Sequence, residues 1–155
     1  MNQVSDSGHP SPSALVSSAE DDPKRFSVAS PFDAHIGTEW LDLGPGEARA
    51  RIRAEDHHKM PLGLVHGGVL ATLAESICSV ATALAVASEG MTIVGQSNAT
   101  TFLRPISEGH VNAVARPRHR GRTTWIWDVE ISDDDERVCA LVRMTIAVRP
   151  APSEA

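Results

Sequence analysis

Residues 63–90 read GLVHGGVLATLAESICSVATALAVASEG, and the fold turns on this stretch. From about Gly68 to Ser88 the apolar residues recur at helical spacing. Leu70, Leu73, Ile77, Val80 and Leu84 fall in one arc of roughly 80° on a helical wheel, and Thr72, Glu75, Ser79 and Thr82 fall in another, roughly opposite. Such a polar stripe normally faces water and carries several charges in i,i+4 pairs. Here Glu75 is the only charged side chain between Val69 and Ser88, and the rest are mostly small Ala, Ser, Thr and Cys. The pattern predicts a helix buried nearly all round, with one carboxylate facing a polar cleft or a subunit seam. Gly90 is placed to end it.

Working outward, Gly63 to Gly68 form a glycine-bearing loop before the helix. Further upstream, order is expected from Pro31, with a helical turn through Phe32 and Ala34, then a strand holding Trp40 and Leu41. Gly44-Pro45-Gly46 gives a turn. A second strand alternates Ala48, Ala50, Ile52 and Ala54 with Arg49, Arg51 and Arg53, the period of two of a half-buried strand. Downstream, four strand patterns cover 92–105, 109–117, 123–132 and 137–149. Trp125, Trp127, Val129 and Ile131 share one face of the third, and Val138 to Val148 alternate through the fourth. The acidic run Asp133 to Glu136 reads as the solvated turn between these two. Two strands, one long helix and four strands with short turns give an α+β chain: a curved antiparallel sheet wrapped around one central helix, the hotdog arrangement.

At 155 residues and 41% hydrophobic, the chain suits one domain with one core. Residues 1–25, rich in Ser, Pro and acidic groups, read as a mobile tail; the domain is expected over 26–150, with a short tail at 151–155. A net charge of -6 argues against nucleic acid as a partner, so any anionic ligand must be held by a local basic cluster. Cys78 and Cys139 stand in no CxxC or CxxH arrangement and read as reduced, buried thiols. With no signal-like start and no apolar run long enough to span a bilayer, the expected location is the cytoplasm, off the membrane.

The candidate chemistry gathers around the helix. A carboxylate with few partners, and Ser79 one turn on, can serve as nucleophile or general base. The alternative is a structural pair between Glu75 and a buried arginine. Just before the helix, His66-Gly67-Gly68 lets the backbone approach a ligand, where free N–H groups and the positive end of the helix dipole make an oxyanion hole. The run Arg116, Arg118, Arg120 and Arg122, with Arg104 nearby in sequence, reads as a phosphate site rather than a charge-protected edge strand. Trp125 and Trp127 read as packing and Cys78 as buried filling. His57, His58 and His66 with Glu75 fit no standard metal spacing, so no metal is expected.

At these residues the sequence resembles the PaaI-like branch of hotdog-fold acyl-CoA thioesterases, closest to 4-hydroxybenzoyl-CoA thioesterases of the helix-glutamate type. The likeness runs through Gly63 to Gly68, Ala74-Glu75, Gly95 to Asn98, Phe102, Arg104-Pro105, Glu108 to Val111, Thr123 to Trp125, Trp127 to Val129 and Ile146 to Pro150. It implies Glu75 as nucleophile or base, the Gly67 N–H as oxyanion donor and His66 as a shaper of the acyl site. Ser79 stands where a threonine accompanies the glutamate. Asp33, Met60 and Gly68 fall at the substrate, and Asp33 would meet a phenolic hydroxyl. Arg104, Thr123 and, in a rearranged clamp, Arg122 and Arg120 would hold the CoA phosphates and nucleotide. Met60 replaces a glutamine that orients the attacking water; His57 or His58 is the nearest polar substitute. Arg122 replaces a serine, and Ala151-Pro152 replace a basic residue.

The expected function is hydrolysis of an aromatic acyl-CoA, a hydroxyaroyl-CoA by preference, to the acid and CoA. CoA is part of the substrate, and no cofactor is needed. Hotdog thioesterases bind substrate at a subunit interface, so the resemblance implies a homo-oligomer, a dimer at least and by expectation a tetramer. The rival reading is a non-catalytic acyl-CoA-binding hotdog protein, favoured by Met60 and opposed by Glu75 with its glycine loop. A hydratase would need an Asp/His pair in a separate motif, which is not found.

Overall fold

The computed structural model describes residues 30–151; both expected tails, apart from Ala151, lie outside them. The chain runs α1 (Pro31–His35), β1 (Thr38–Leu43), β2 (Ala48–Arg53), a 3-10 turn (Asp56–His58), α2 (Gly67–Val86), β3 (Met91–Phe102), β4 (His110–Arg120), β5 (Thr124–Ser132) and β6 (Val138–Pro150). The six strands form one antiparallel sheet in the order β1-β2-β4-β5-β6-β3. The expected elements all form, with ends shifted by one to three residues. Arg104 falls outside the strand drawn through it, because the chain leaves the sheet after Phe102.

Small residues bring helix and sheet together. Ala48, Ala50 and Ile52 of β2 pair with Ala115, Ala113 and Val111 of β4, and all six are buried. Their short side chains leave room for α2, whose Leu73, Ala74, Ile77 and Cys78 are fully buried against them. Trp127, Val129 and Ile131 of β5 with Val142, Met144 and Ile146 of β6 complete the core. The segment from Gly67 to Glu89 is long and apolar enough to cross a bilayer, but its apolarity is accounted for by this packing.

The polar stripe of α2 is buried or half-buried except at Glu75, as expected of a helix enclosed nearly all round with one carboxylate facing outward. The helix crosses the sheet diagonally. Asn98 Nδ2 of β3 donates to the Ala71 carbonyl at 2.9 Å, and a Cβ on Gly95 of β3 would stand 3.3 Å from Glu75 Oε1. One turn and three residues later the stripe is beneath β5. Thr82 is fully buried, accepts from Trp127 Nε1 at 2.9 Å and donates to the Cys78 carbonyl at 2.7 Å. Thus Glu75 emerges exposed at the sheet's edge while Thr82 satisfies the fully buried indole of Trp127.

A second buried polar residue, His58, ties down the segment before the helix. Its Nδ1 accepts from the Glu55 N–H at 3.1 Å and its Nε2 lies 3.1 Å from the Ile36 carbonyl. Both bonds require the neutral ring protonated at Nε2. Burial foremost, then the neighbouring His57, lowers its pKa below 6.5, against the pull of the Ile36 carbonyl.

Two outcomes follow from these buried groups. Thr82→Val leaves the Trp127 indole N–H without an acceptor and should destabilise the fold by about 1–3 kcal/mol, read as a lowered denaturant midpoint; an unmoved midpoint would show that the bond contributes nothing. The His58 ring binds its proton more readily unfolded than folded. The stability it provides is therefore complete above pH 6.5 and lost as the pH falls from there through its lower folded value. Urea titrations between neutral and mildly acidic pH should show this slope in wild type and a reduced one in His58→Gln.

Candidate active site

The site begins where His66 caps α2. Its Nδ1 accepts from the Gly68 N–H at 2.9 Å, as an N-cap side chain does, so one of the helix's first free donors is taken. The Gly67 N–H has no acceptor among the described residues. A side chain at either glycine would crowd its neighbours. A Cβ on Gly67 would stand 2.8 Å from Phe102 Cζ, and one on Gly68 would stand 3.0 Å from His66 Nδ1. The Phe102 ring rests on the Gly67 backbone, and both border a mostly apolar cleft of about 520 Å³ that Met60, His66, Leu70 and Arg104 also line.

Glu75 lies two turns along α2, outside this cleft. Among the described residues no cation pairs with it and no group hydrogen-bonds to it, so the structural pairing with a buried arginine does not occur. Ser79, half-buried one turn on, makes no hydrogen bond to it either. The carboxylate instead lies against the β3 backbone at Gly95, beside the register shift between Gly95 and Ser97. Cys78 is wholly buried; burial first and the Glu75 charge second push its thiol well above the ordinary range, so it is inert filling.

Asp33 sits in α1, buried. The Ser30 hydroxyl donates to its Oδ2 at 2.6 Å, and its Oδ1 has no partner among the described residues. His58 has both ring nitrogens engaged inside the fold and so cannot take the glutamine's role at Met60, while His57, half-exposed, has its Nδ1 3.5 Å from Glu55. Met60 itself stays in the cleft wall.

The arginines divide. Arg116 pairs with Glu47 at 2.7 Å and Arg118 with Asp128 at 3.4 Å, so these two are structural. Arg120 lies over the Trp125 ring. Arg122 and Thr123 occupy the turn before β5, where the Thr123 carbonyl accepts from the Val148 N–H at 3.0 Å and from Arg149 at 2.8 Å. Arg104 donates to the Val138 carbonyl at 2.6 Å. Val138 and Val148 are ten residues apart on β6, about 30 Å, so Arg104 and Arg122 do not meet within one chain. Arg149 was missed in the sequence. Only the register of β6 against β5 places it beside Thr123, and no spacing within 137–149 reveals that.

The comparisons agree with this architecture. The family model of the thioesterase superfamily matches residues 62–140. A Mycobacterium tuberculosis protein described provisionally as an esterase is 42% identical over 122 residues, 77% of this chain and 87% of that protein. Its solved structure superposes with a TM-score of 0.76 at 40% identity, covering 80% of this chain and all of that one. A thioesterase from Pseudomonas aeruginosa, solved as a glutamine-to-alanine variant, gives 0.78 at 31% identity over 93% of this chain and 97% of its own. One from Haemophilus influenzae gives 0.76 at 29% identity over 90% and 91%. A hotdog sheet around one helix, a free N–H at the helix start and an uncommitted carboxylate on that helix thus meet a family match over more than half the chain: the protein belongs to the thioesterase superfamily and is an acyl-CoA thioesterase.

Proposed function

We propose that the protein hydrolyses an aromatic acyl-CoA, with 4-hydroxybenzoyl-CoA or a related hydroxyaroyl-CoA as the best fit, to the free acid and CoA, acting in the cytoplasm as a homo-oligomer. The observation that carries this reading is the pair of uncommitted groups on α2, the Gly67 N–H and the Glu75 carboxylate. Glu75 attacks the thioester carbonyl to form an anhydride that water then hydrolyses, or it draws a proton from a water that attacks directly. The Gly67 N–H stabilises the oxyanion, and CoA leaves as the thiolate.

The geometry supports a site shared by two chains. Gly67 and Glu75 lie eight residues apart on one helix, about 12 Å at its rise per residue. A single carbonyl needs the donor and the attacking oxygen each at about 3 Å. Strand β3 supplies the means of assembly. It is an edge strand of 12 residues with no Lys, Arg, Asp, Glu or Pro, so nothing guards its open hydrogen-bonding groups. Antiparallel pairing of β3 with the β3 of a second copy would bring the Gly95 end of one chain toward the Phe102 end of the other. Glu75 of one chain would then approach the Gly67 donor of the other. Arg122, Thr123 and Arg149 lie near the Glu75 end, since Val148 is two residues along β6 from Ile146, which pairs with Gly95. Arg104 comes with the second copy's cleft, so a clamp on the CoA phosphates draws on both chains.

The acyl group is read from the cleft and from Asp33, which lies outside the residues lining it. An unpaired buried carboxylate oxygen is costly, and a para-hydroxyl on an aroyl ring supplies the missing donor. Met60, Leu70 and Phe102 offer apolar walls to the ring. The two free, buried cysteines suit a reducing compartment.

Glu75→Gln should lower kcat by at least about a hundredfold while CoA-thioester binding survives, measured as thiol release from 4-hydroxybenzoyl-CoA. Mixed with Gly67→Val chains it should regain part of the activity, because one hybrid site carries both native groups. Full turnover by Glu75→Gln alone would sink the mechanism. For the acyl end, wild type should favour 4-hydroxybenzoyl-CoA over benzoyl-CoA by about tenfold to a hundredfold in kcat/KM, and both over short aliphatic thioesters. Asp33→Ala should bring the two aroyl substrates near parity; a wild type that prefers short aliphatic thioesters refutes the aromatic assignment.

A further inference from the structure

We infer that His58 is a positioning residue for thioester hydrolysis, holding the Gly67 N–H in place through a neutral imidazole bonded on both nitrogens. The inference rests on the reading of Gly67 as the oxyanion donor. His58 is 4% exposed, far more buried than the neighbouring His57, and it touches three segments. Through Nε2 it reaches the Ile36 carbonyl at the end of α1, and through Nδ1 the Glu55 N–H after β2. Its own carbonyl accepts from the His66 N–H at 2.8 Å, one residue before Gly67.

That last bond closes a narrow loop. Met60 N–H donates to the Leu64 carbonyl at 2.8 Å, Gly63 N–H to the Met60 carbonyl at 2.9 Å, and Lys59 bridges Val65. Residues 58–66 therefore hang from the His58–His66 bond, carrying Met60 into the cleft wall and delivering the chain to the helix start. The far side of the loop is held by Val65, which donates to the Ile106 carbonyl at 2.8 Å. Of the two anchors, only His58 also reaches α1, the helix that carries Asp33. One ring thus sets the acyl end and the oxyanion end relative to each other. Displacements of about 1 Å at such a donor cost up to a hundredfold in rate.

The charged state of the ring is incompatible with this task. A proton on Nδ1 would face the Glu55 N–H, donor against donor. The titratable groups around the ring are His57, tilted against it with centroids 3.8 Å apart, Glu55 on its own turn, His35 from α1 beyond His57 and His66 across the loop, and Arg53 at the end of β2 meets it through its backbone. The Ile36 backbone, Glu55 and the Arg53 backbone favour the charged ring, while burial and His57 oppose it more strongly.

The test uses the full chain and three readouts. His58→Ala, shown folded by a cooperative urea transition, should lose kcat by roughly tenfold or more with KM little changed, short of the hundredfold scale of losing the donor outright. His58→Gln, which keeps a donor for the Ile36 carbonyl, should recover most of that loss. Amide exchange at His66, followed without substrate, should quicken about tenfold or more in His58→Ala. A kcat within twofold of wild type per folded molecule, or unchanged protection of the His66 amide, would overturn the inference. If His58→Ala does not fold, the protection factor of the His66 amide, which is its exchange rate corrected for the intrinsic pH dependence, should drop in wild type as the pH falls below 6.5 and stay flat in His58→Gln; equal behaviour in the two would overturn it as well. Because exchange needs no turnover, its failure is separable from the failure of Gly67 and Glu75 as catalytic groups.

Discussion

The hydrogen bond from the Trp127 indole to the Thr82 hydroxyl, passed on to the Cys78 carbonyl, fixes how α2 is rotated on the sheet. Leu70, Leu73, Ile77 and Val80 turn one arc of the helix to the core, and the bond adds a directional constraint to that packing. A buried indole N–H admits one solution, since leaving it unpaired is costly. One residue of rotation, about 100°, would carry Thr82 away from Trp127 and Glu75 away from the open edge at Gly95. The catalytic carboxylate of the proposed mechanism is therefore aimed from the other end of its helix, by a residue seven positions away.

The sequence revealed the fold more fully than the site. Period-two alternation in Ala48 to Arg53 and in Val138 to Val148 marks strands whose buried faces are those observed. The helix start was readable from His66-Gly67-Gly68, because capping is local chemistry. What stayed hidden depends on long-range register. Thr82 shares the Glu75 stripe on a helical wheel but is buried, since the helix crosses the sheet at an angle that no local pattern encodes. Arg104 and Arg122 looked like one basic cluster, yet β6 holds them about 30 Å apart. Arg149 looked like one more outward-facing residue of an alternating strand. Asp33 could be suspected only by resemblance; its unpaired oxygen is a tertiary property.

A division of labour also separates the arginines. Those on the outer face are neutralised nearby, Arg49 and Arg116 by Glu47, Arg51 by Glu39 and Arg143 by Asp128. Among the described residues, Arg104, Arg120, Arg122 and Arg149 make no ion pair with a carboxylate. An acidic chain repels a polyanion at long range, so CoA phosphates must be recognised at contact distance, where unpaired guanidinium groups remain available.

The contact between Phe102 and Gly67 has a consequence for divergence. The ring lies where a methyl group on Gly67 would have to go, so neither position can change freely while the other keeps its native residue. A larger residue at 67 is admissible only after the ring at 102 has been replaced by something smaller or turned away. A smaller residue at 102 uncovers the backbone at the helix start and widens the cleft. The two sites form a covarying unit, and lineages that adapt to bulkier or slimmer acyl groups should move through position 102 first, with 67 following or remaining glycine.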